Sequence, residues 1–374
     1  MSEETSWRVP SELLERFMQD VFTSVGVPSE EAAVSAHVLI TSDRRGIESH
    51  GIGRMKSIYY DRIRLGIQNP RTEFEIVKET ATTAVVDGHD GMGHVIARRC
   101  MQLAIDKAKE YGLGMVTARN STHYGICGYY LLMAAEAGMV GVTGTNARPS
   151  IAPTFGVENL LGTNPLTFGC PTDEAFPFVI DAATSVTQRG KIEVYDRAGK
   201  DIPEGWVIDQ TGAYRTDTKQ ILKDLVSGTC ALVPLGGQGE LTGGHKGYGL
   251  ATFVEIASAA LCEGSYMKDL LGFSDGKPVP YHLGHFFLAI DVEHFVPLSS
   301  FRAIAGDICR KLRASAPAPG CDRIYTGGEK EHLAGLEVAA HGVSVNEQLR
   351  REIDQMRTEC ALVGYQFPWD DSSR

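Results

Sequence analysis

Between Asp43 and Arg54 the chain reads DRRGIESHGIGR, the spacing in it most suggestive of chemistry. His50 and Arg54 stand four apart. If a helix begins near Ser49, both project from one face on successive turns. A guanidinium there can clamp a carboxylate with two parallel hydrogen bonds. An imidazole beside it can take or give the proton on the adjacent C2 oxygen, with a pKa near working pH. That pairing suits a small 2-hydroxy or 2-keto acid, whose oxidation removes a hydroxyl proton as a hydride leaves. Ser49 is positioned to orient the imidazole. The same spacing also describes an exposed helix face with a solvated arginine and a capping histidine, so the segment alone leaves both readings open. No second His or carboxylate stands at ligand spacing there, and no metal site is expected.

Three further stretches carry candidate groups. His123 lies in NSTHYGICGYY, in a loop between a predicted strand and a predicted helix; such loops often carry function, although a structural histidine fits equally. LGTNPLTFGCP, Leu161 to Pro171, demands a turn at Asn164-Pro165 and can present the Thr163 hydroxyl to a ligand. In DAATS, Asp181 to Ser185, small residues follow an apolar strand. They would let a flat ring or ribose approach the backbone, with Asp181 as acceptor. A tight turn explains each of these two stretches as well.

Two glycine-rich segments test the usual nucleotide loops. Gly91-Met92-Gly93 sits between a predicted strand and a predicted helix, but Ile96 stands where a third glycine is needed. The following strand ends Thr117-Ala118-Arg119-Asn120, without an acid for a ribose, which argues against a Rossmann fold. GGQGELTGGHKGYG, Gly236 to Gly249, lacks the Ser or Thr of a Walker loop after Lys246. It still gathers backbone N–H groups and a lysine at a helix start, a pattern that suits an anion.

The elements that must position these groups alternate in type. Helices are predicted over 11–25, 29–42, 53–65, 94–111, 129–137, 248–262, 301–314 and 346–362. Strands are predicted over 75–79, 83–87, 114–119, 139–145, 166–169, 178–181 and 285–291, with 200–218 an exposed loop. The expected organisation is a helical segment 1–70 joined with C-terminal helices 300–374, around a mixed α/β region 71–299. With 374 residues, 43% of them apolar, the chain can build a sizeable core without disulfides or structural metal. Its 47 acidic against 36 basic residues, a formal charge of −11, exclude a general nucleic-acid binder. No apolar run is long enough to span a bilayer and no secretory signal is visible. The eight cysteines form no C-x-x-C pair, which fits reduced thiols in the cytoplasm.

Taken together, SDRRGIESHGIGR, NSTHYGICGYY, LLGTNPLTFGCP, VIDAATS and GGHKGYGL, in this order and with PEGW at Pro203 to Trp206, resemble the type 2 malate/L-lactate dehydrogenase family of NAD(P)-dependent oxidoreductases. The resemblance covers nearly the whole chain and is nearest the malate dehydrogenase branch. It implies a mixed α/β fold with a largely antiparallel central sheet, and a homodimer whose cleft contacts both subunits. It implies His50 as the acid/base with Ser49 beside it, and Arg54 on the substrate carboxylate with Thr163 touching substrate. His123 would line the nicotinamide site; in some relatives this position is the proton acceptor. The cofactor, NAD or alternatively NADP, would meet His123, Tyr124, Gly125, Ile126, Cys127, Asp181, Ala182, Ala183 and Lys246, with Gly328 and Glu329 in place of a PGE motif. Lys191 stands where some relatives have a relaying Asp, a role a lysine cannot fill. Arg189 and Lys191 are candidate partners for a 2′-phosphate. The implied reaction is reversible oxidation of malate to oxaloacetate. Lactate, sulfolactate, ureidoglycolate or a cyclic imino acid are the alternative substrates, and a non-catalytic nucleotide- or carboxylate-binding protein is the alternative of another class.

Overall fold

The computed structural model describes residues 6–370. A seven-stranded sheet forms its centre, in the order Glu75–Glu79, Thr83–Asp87, Leu113–Ser121, Leu283–Asp291, Met139–Thr145, Leu166–Cys170, Phe178–Ala182. Every neighbouring pair is antiparallel except Thr83–Asp87 with Leu113–Ser121. The sheet is therefore mixed and largely antiparallel, as expected. Its middle strand, Leu283–Asp291, arrives last in sequence and wedges between two earlier strands through Phe286, Phe287 and Ala289, all buried. The helices Gly93–Tyr111 and Gly128–Glu136 cover one face of this sheet, and Ile96, Cys100, Ala104, Tyr130 and Phe287 share their core.

A second core joins the two ends of the chain. Phe17, Phe22, Tyr59 and Tyr60 from the N-terminal segment pack with Ile353, Met356 and Phe367. The strand Ser6–Val9 pairs antiparallel with Val343–Asn346 beside them.

The region predicted as an exposed loop, 200–218, is instead part of a small folded unit. Its strands Val207–Asp209 and Tyr214–Arg215 join Cys230–Leu232 in a three-stranded sheet. Ile202, Val207 and Ile221 bury against Ile151 and Ile192. The turn-rich composition hid these strands because each is only two or three residues long. The helices Arg189–Arg197 and Thr218–Ser227 around it, and Glu329–His341 later in the chain, were also unanticipated.

The glycine-rich segments serve packing. A Cβ on Gly93 would lie 2.3 Å from the Thr122 carbonyl oxygen, so the helix beginning there presses against the 122–123 loop. The Thr122 hydroxyl accepts the Gly93 N–H at 2.9 Å and donates to the Gly91 carbonyl at 2.8 Å. That N–H is thus bonded within the protein. At the other segment, a Cβ on Gly244 would lie 1.8 Å from the Gly237 carbonyl oxygen, because the Gly236–Gly239 turn crosses the helix start. Replacing Gly93 with Ala should overpack this contact at a cost of about 1–3 kcal/mol. The check is thermal unfolding of Gly93→Ala beside the parent protein, where an unchanged Tm would refute the packing role.

Candidate functional site

The segment expected to be one helix from about Ser49 is built differently. Glu48–His50 and Ile52–Arg54 are separate 3₁₀ turns, broken at Gly51. A wide π-type turn, Met55–Tyr60, then leads into a short α-helix, Asp61–Arg64. The break follows from a buried carboxylate. Asp43 accepts the Ile52 N–H at 2.8 Å, and a Cβ on residue 51 would lie 1.8 Å from its Oδ1. Only glycine can cross there. Burial, opposed by the Ile52 N–H and helped by nearby Glu48, raises the Asp43 carboxyl to about 7.

The altered backbone changes how His50 and Arg54 relate. The His50 ring lines a cavity of about 330 Å³ together with Ser49, His123, Tyr124, Gly125, Ile126, Cys127, Thr163, Asp181 and Ala183. Arg54 lines a neighbouring cavity with Asp43, Glu48, Gly190 and Glu352. Its Nε donates to the Ser49 carbonyl at 2.6 Å. Ser49 borders both cavities. The two side chains thus sit on either side of Ser49 and do not share one helix face.

A second imidazole comes from across the molecule. His50 and His123 lie nearly parallel, their ring centres 5.8 Å apart. The Ser49 hydroxyl is hydrogen-bonded to His50 Nδ1 at 2.8 Å. His123 Nδ1 takes the Tyr59 hydroxyl at 2.5 Å and a weaker Gly125 N–H at 3.3 Å. Two donors converging on Nδ1 leave the proton of the neutral ring on Nε2. Burial, aided by the charge of Arg54, holds His50 down to about 4. Burial and the neighbouring His50 also hold His123 well below the ordinary histidine range. Both rings are therefore neutral at pH 7. Behind them, buried His94 lies 4.6 Å from the Tyr59 ring, and burial pushes it down to about 3.

The other expected residues separate into two groups. Thr163 borders the cavity beside a turn in which Asn164, at φ +34°, donates to buried Glu255 at 2.6 Å. Thr184 pins the DAATS turn to it, donating to the Asn164 carbonyl at 2.9 Å. Asp181 Oδ2 accepts the Gly128 N–H at 2.7 Å, capping a helix start. Its surface opens into the cavity while the surrounding protein raises its carboxyl to about 6. Tyr124 is a core residue, stacked 4.4 Å from His285 and bonded to the Cys127 sulfur. Ala182, Lys246, Gly328 and Glu329 do not line this cavity. Lys246 is exposed in the first turn of the helix Gly244–Ala259. Glu329 is buried and bonded to Arg323 and the Thr326 N–H, and Gly328 packs against the Pro177 carbonyl. Lys191 lies over the Trp206 ring and Arg189 is paired with Glu193 at 2.9 Å.

Residues at or behind the site that carried no sequence reading include Arg45, Asn146, Gln188, Glu331 and Tyr59. Arg45 stands inside the DRRGIESHGIGR motif and Asn146 at the end of a strand, signals that position alone offered. Tyr59 had none, since it reaches His123 only through the wide turn.

Residues 9–354 match the family described as malate/L-lactate dehydrogenase. The chain belongs to that family. The malate dehydrogenase of Pyrococcus horikoshii is 42% identical over 357 residues, covering 96% of each chain. The crystal structure of malate dehydrogenase from Entamoeba histolytica matches with a TM-score of 0.93 at 42% identity, over 97% of this chain and 100% of that one. The L-sulfolactate dehydrogenase of Methanocaldococcus jannaschii is 34% identical over 92% of this chain and 94% of its own. This dehydrogenase is an oxidoreductase that works with a nicotinamide cofactor. The cavity fits such a group. Its wall carries bare backbone at Gly125 and Gly128, two neutral imidazoles and one cation, Arg45. Its volume is at the lower end of small-molecule sites, room for a flat ring and a small acid.

Removing the Tyr59 hydroxyl tests the tautomer assignment. Tyr59→Phe should lower kcat about tenfold, the equivalent of one lost hydrogen bond to the ring, with little change in Tm. Steady-state kinetics and thermal unfolding of the same preparation are the measurement. Full retention of kcat would show that the bond does not matter.

Proposed function

We propose that this dehydrogenase interconverts malate and oxaloacetate at the cavity shared by His50 and His123. The observation that carries the reading is the pair of neutral, face-to-face imidazoles beside Ser49. A neutral imidazole can accept the hydroxyl proton of a 2-hydroxy acid, and a binding site alone has no need of one. His50 is the proton carrier in this reading. Its Nδ1 is held by Ser49, which leaves Nε2 for the substrate oxygen. His123, with its proton on Nε2, donates a hydrogen bond into the same space. The acid sits across Ser49, its carboxylate toward Arg54 on the far side and Thr163 toward its body. Arg54 spends only Nε on Ser49, leaving the terminal nitrogens of its fork for the carboxylate.

A bound nicotinamide supplies the hydride acceptor and donor at the substrate carbon. The walls at Tyr124–Cys127, Asp181 and Ala183 are the surfaces we assign to it. NAD is the proposed form, because Arg189 and Lys191 already have partners in the protein. Lys246, Gly328 and Glu329 remain proposed contacts only for parts of the cofactor outside the cavity.

We further infer a homodimer in the cytoplasm. The helix Gly244–Ala259 presents Leu250, Phe253 and Ile256 to solvent, the last two 52% and 56% exposed. An apolar stripe of this kind suits burial by a second copy. The cysteines are all free thiols, as a reducing compartment would keep them.

Three outcomes test the reading. A panel of 2-hydroxy acids followed at the reduced-nicotinamide absorbance should favour malate; strong turnover of sulfolactate or lactate with none of malate would overturn that choice. His50→Ala should lose at least about a hundredfold in kcat/KM. Arg54→Ala should raise KM strongly and lower kcat if the clamp orients the reacting carbon. The pH profile gives an independent check. Oxidation needs neutral His50, whose pKa is lowered to about 4, so the base persists as pH falls. The acid limb of kcat/KM should therefore lie below pH 6, and a limb at the ordinary histidine value of about 6.5 would contradict the assignment.

A further inference from the structure

Arg45 is the first residue past the helix Ser29–Arg44, and its side chain borders the cavity that holds His50 and His123. It is half-buried there. The neighbouring Arg44 is engaged, its guanidinium 2.9 Å from Glu15 and its Nε bonded to Ser11. Arg45 differs. Among the described residues its backbone N–H is bonded, but its guanidinium has no hydrogen-bonded acceptor and no carboxylate within 4 Å. Asp181 and Glu331, which border the same cavity, are near enough to favour its charge and too far to pair with it. Asp181 also gives one oxygen to Gly128.

A guanidinium cannot shed its proton in a protein, so burying it calls for an acceptor. Five donors in a rigid fork match an oxyanion, and phosphate oxygens above all. Position says which oxyanion. Arg45 feels the charges of Asp181 and Glu331 in the cavity wall, whereas the cation felt by both imidazoles is Arg54. In our reading Arg54 takes the malate carboxylate next to the hydroxyl, and the second malate carboxylate is the competing partner that the test below separates from a cofactor phosphate. In a nicotinamide dinucleotide the anionic group common to both forms is the pyrophosphate, one ribose away from the ring. On a chain of net charge −11, with two acids in the cavity wall, binding that group requires a local cation.

We propose that Arg45 binds a phosphate oxygen of the nicotinamide dinucleotide, with Asp181 and Glu331 near enough to favour its charge and too far to neutralise it. This rests on the functional reading above, because it assumes that the cavity takes the cofactor's nicotinamide end.

The test is direct binding of NADH, followed by its fluorescence, to the full-length parent protein, Arg45→Met and Arg45→Lys. Loss of a charge-assisted bond should raise Kd about thirtyfold in Arg45→Met. Arg45→Lys should recover part of that loss, since it keeps the charge and loses the fork. NADH binding to the parent should weaken as salt rises, and less so in Arg45→Met. The KM for malate, measured at saturating NAD, should stay within about threefold. An unchanged Kd overturns the proposal. An unchanged Kd with a much higher malate KM would also overturn it and assign Arg45 to a substrate carboxylate. Should Arg45→Met fail to fold, Arg45→Lys carries the same comparison, with a Kd rise of about tenfold expected and an unchanged value refuting the role. The parent protein separates the two readings. If it binds no NADH, the functional reading itself fails; if it binds NADH and the variants bind equally well, only the role of Arg45 fails.

Discussion

One buried hydrogen bond fixes the site. The Asp43 carboxylate takes the Ile52 N–H, and its oxygen fills the space where a side chain on residue 51 would go. The backbone cannot continue as a helix through this point. It breaks into two short turns, one presenting His50 and the other swinging Arg54 behind Ser49. An alanine at 51 would have to push the carboxylate out or move the turn, and either change would displace the imidazole. The conflict between a helical spacing and a buried acid is resolved in favour of the acid.

The second imidazole is held by an equally local device just past the end of the strand Leu113–Ser121. Thr122 ties the start of the helix Gly93–Tyr111 to the loop that carries His123, and Gly93 lets the helix come within contact distance. Tyr59 then joins the two halves. It stands on the wide turn after Arg54 and reaches His123 Nδ1. A normal α-turn would carry residue 59 around by a different angle. A wide turn beside a functional group is a recurring way of aiming one side chain without rebuilding the helix.

Much of this was legible in residues, and the rest failed for identifiable reasons. The long periodic helices and the apolar strands of the main sheet fall where their patterns indicate, because burial on one face is what those patterns record. His50, Ser49, His123, Thr163, Asp181 and Ala183 do converge on one cavity. The single-helix picture of His50 and Arg54 failed because periodicity says nothing about a buried Asp43 seven residues earlier. The small sheet within 200–232 was missed because strands of two or three residues have no period to detect. Nothing in the residue pattern signalled that Glu329 bonds Arg323 and the Thr326 N–H and so holds a corner of the fold.

The electrostatics of the cavity follow from the same packing. Two imidazoles within 6 Å cannot both carry charge in a partly dry space, and Arg54 beyond Ser49 penalises charge on either. The rings are thus kept neutral by burial and by each other. A proton taken from the substrate would make one ring cationic for a moment, next to a neutral ring. A ring acting as the base in the proposed reaction would therefore be weak at rest and readily give its proton back. That suits a reversible reaction in which the same group must release the proton when the keto acid is reduced.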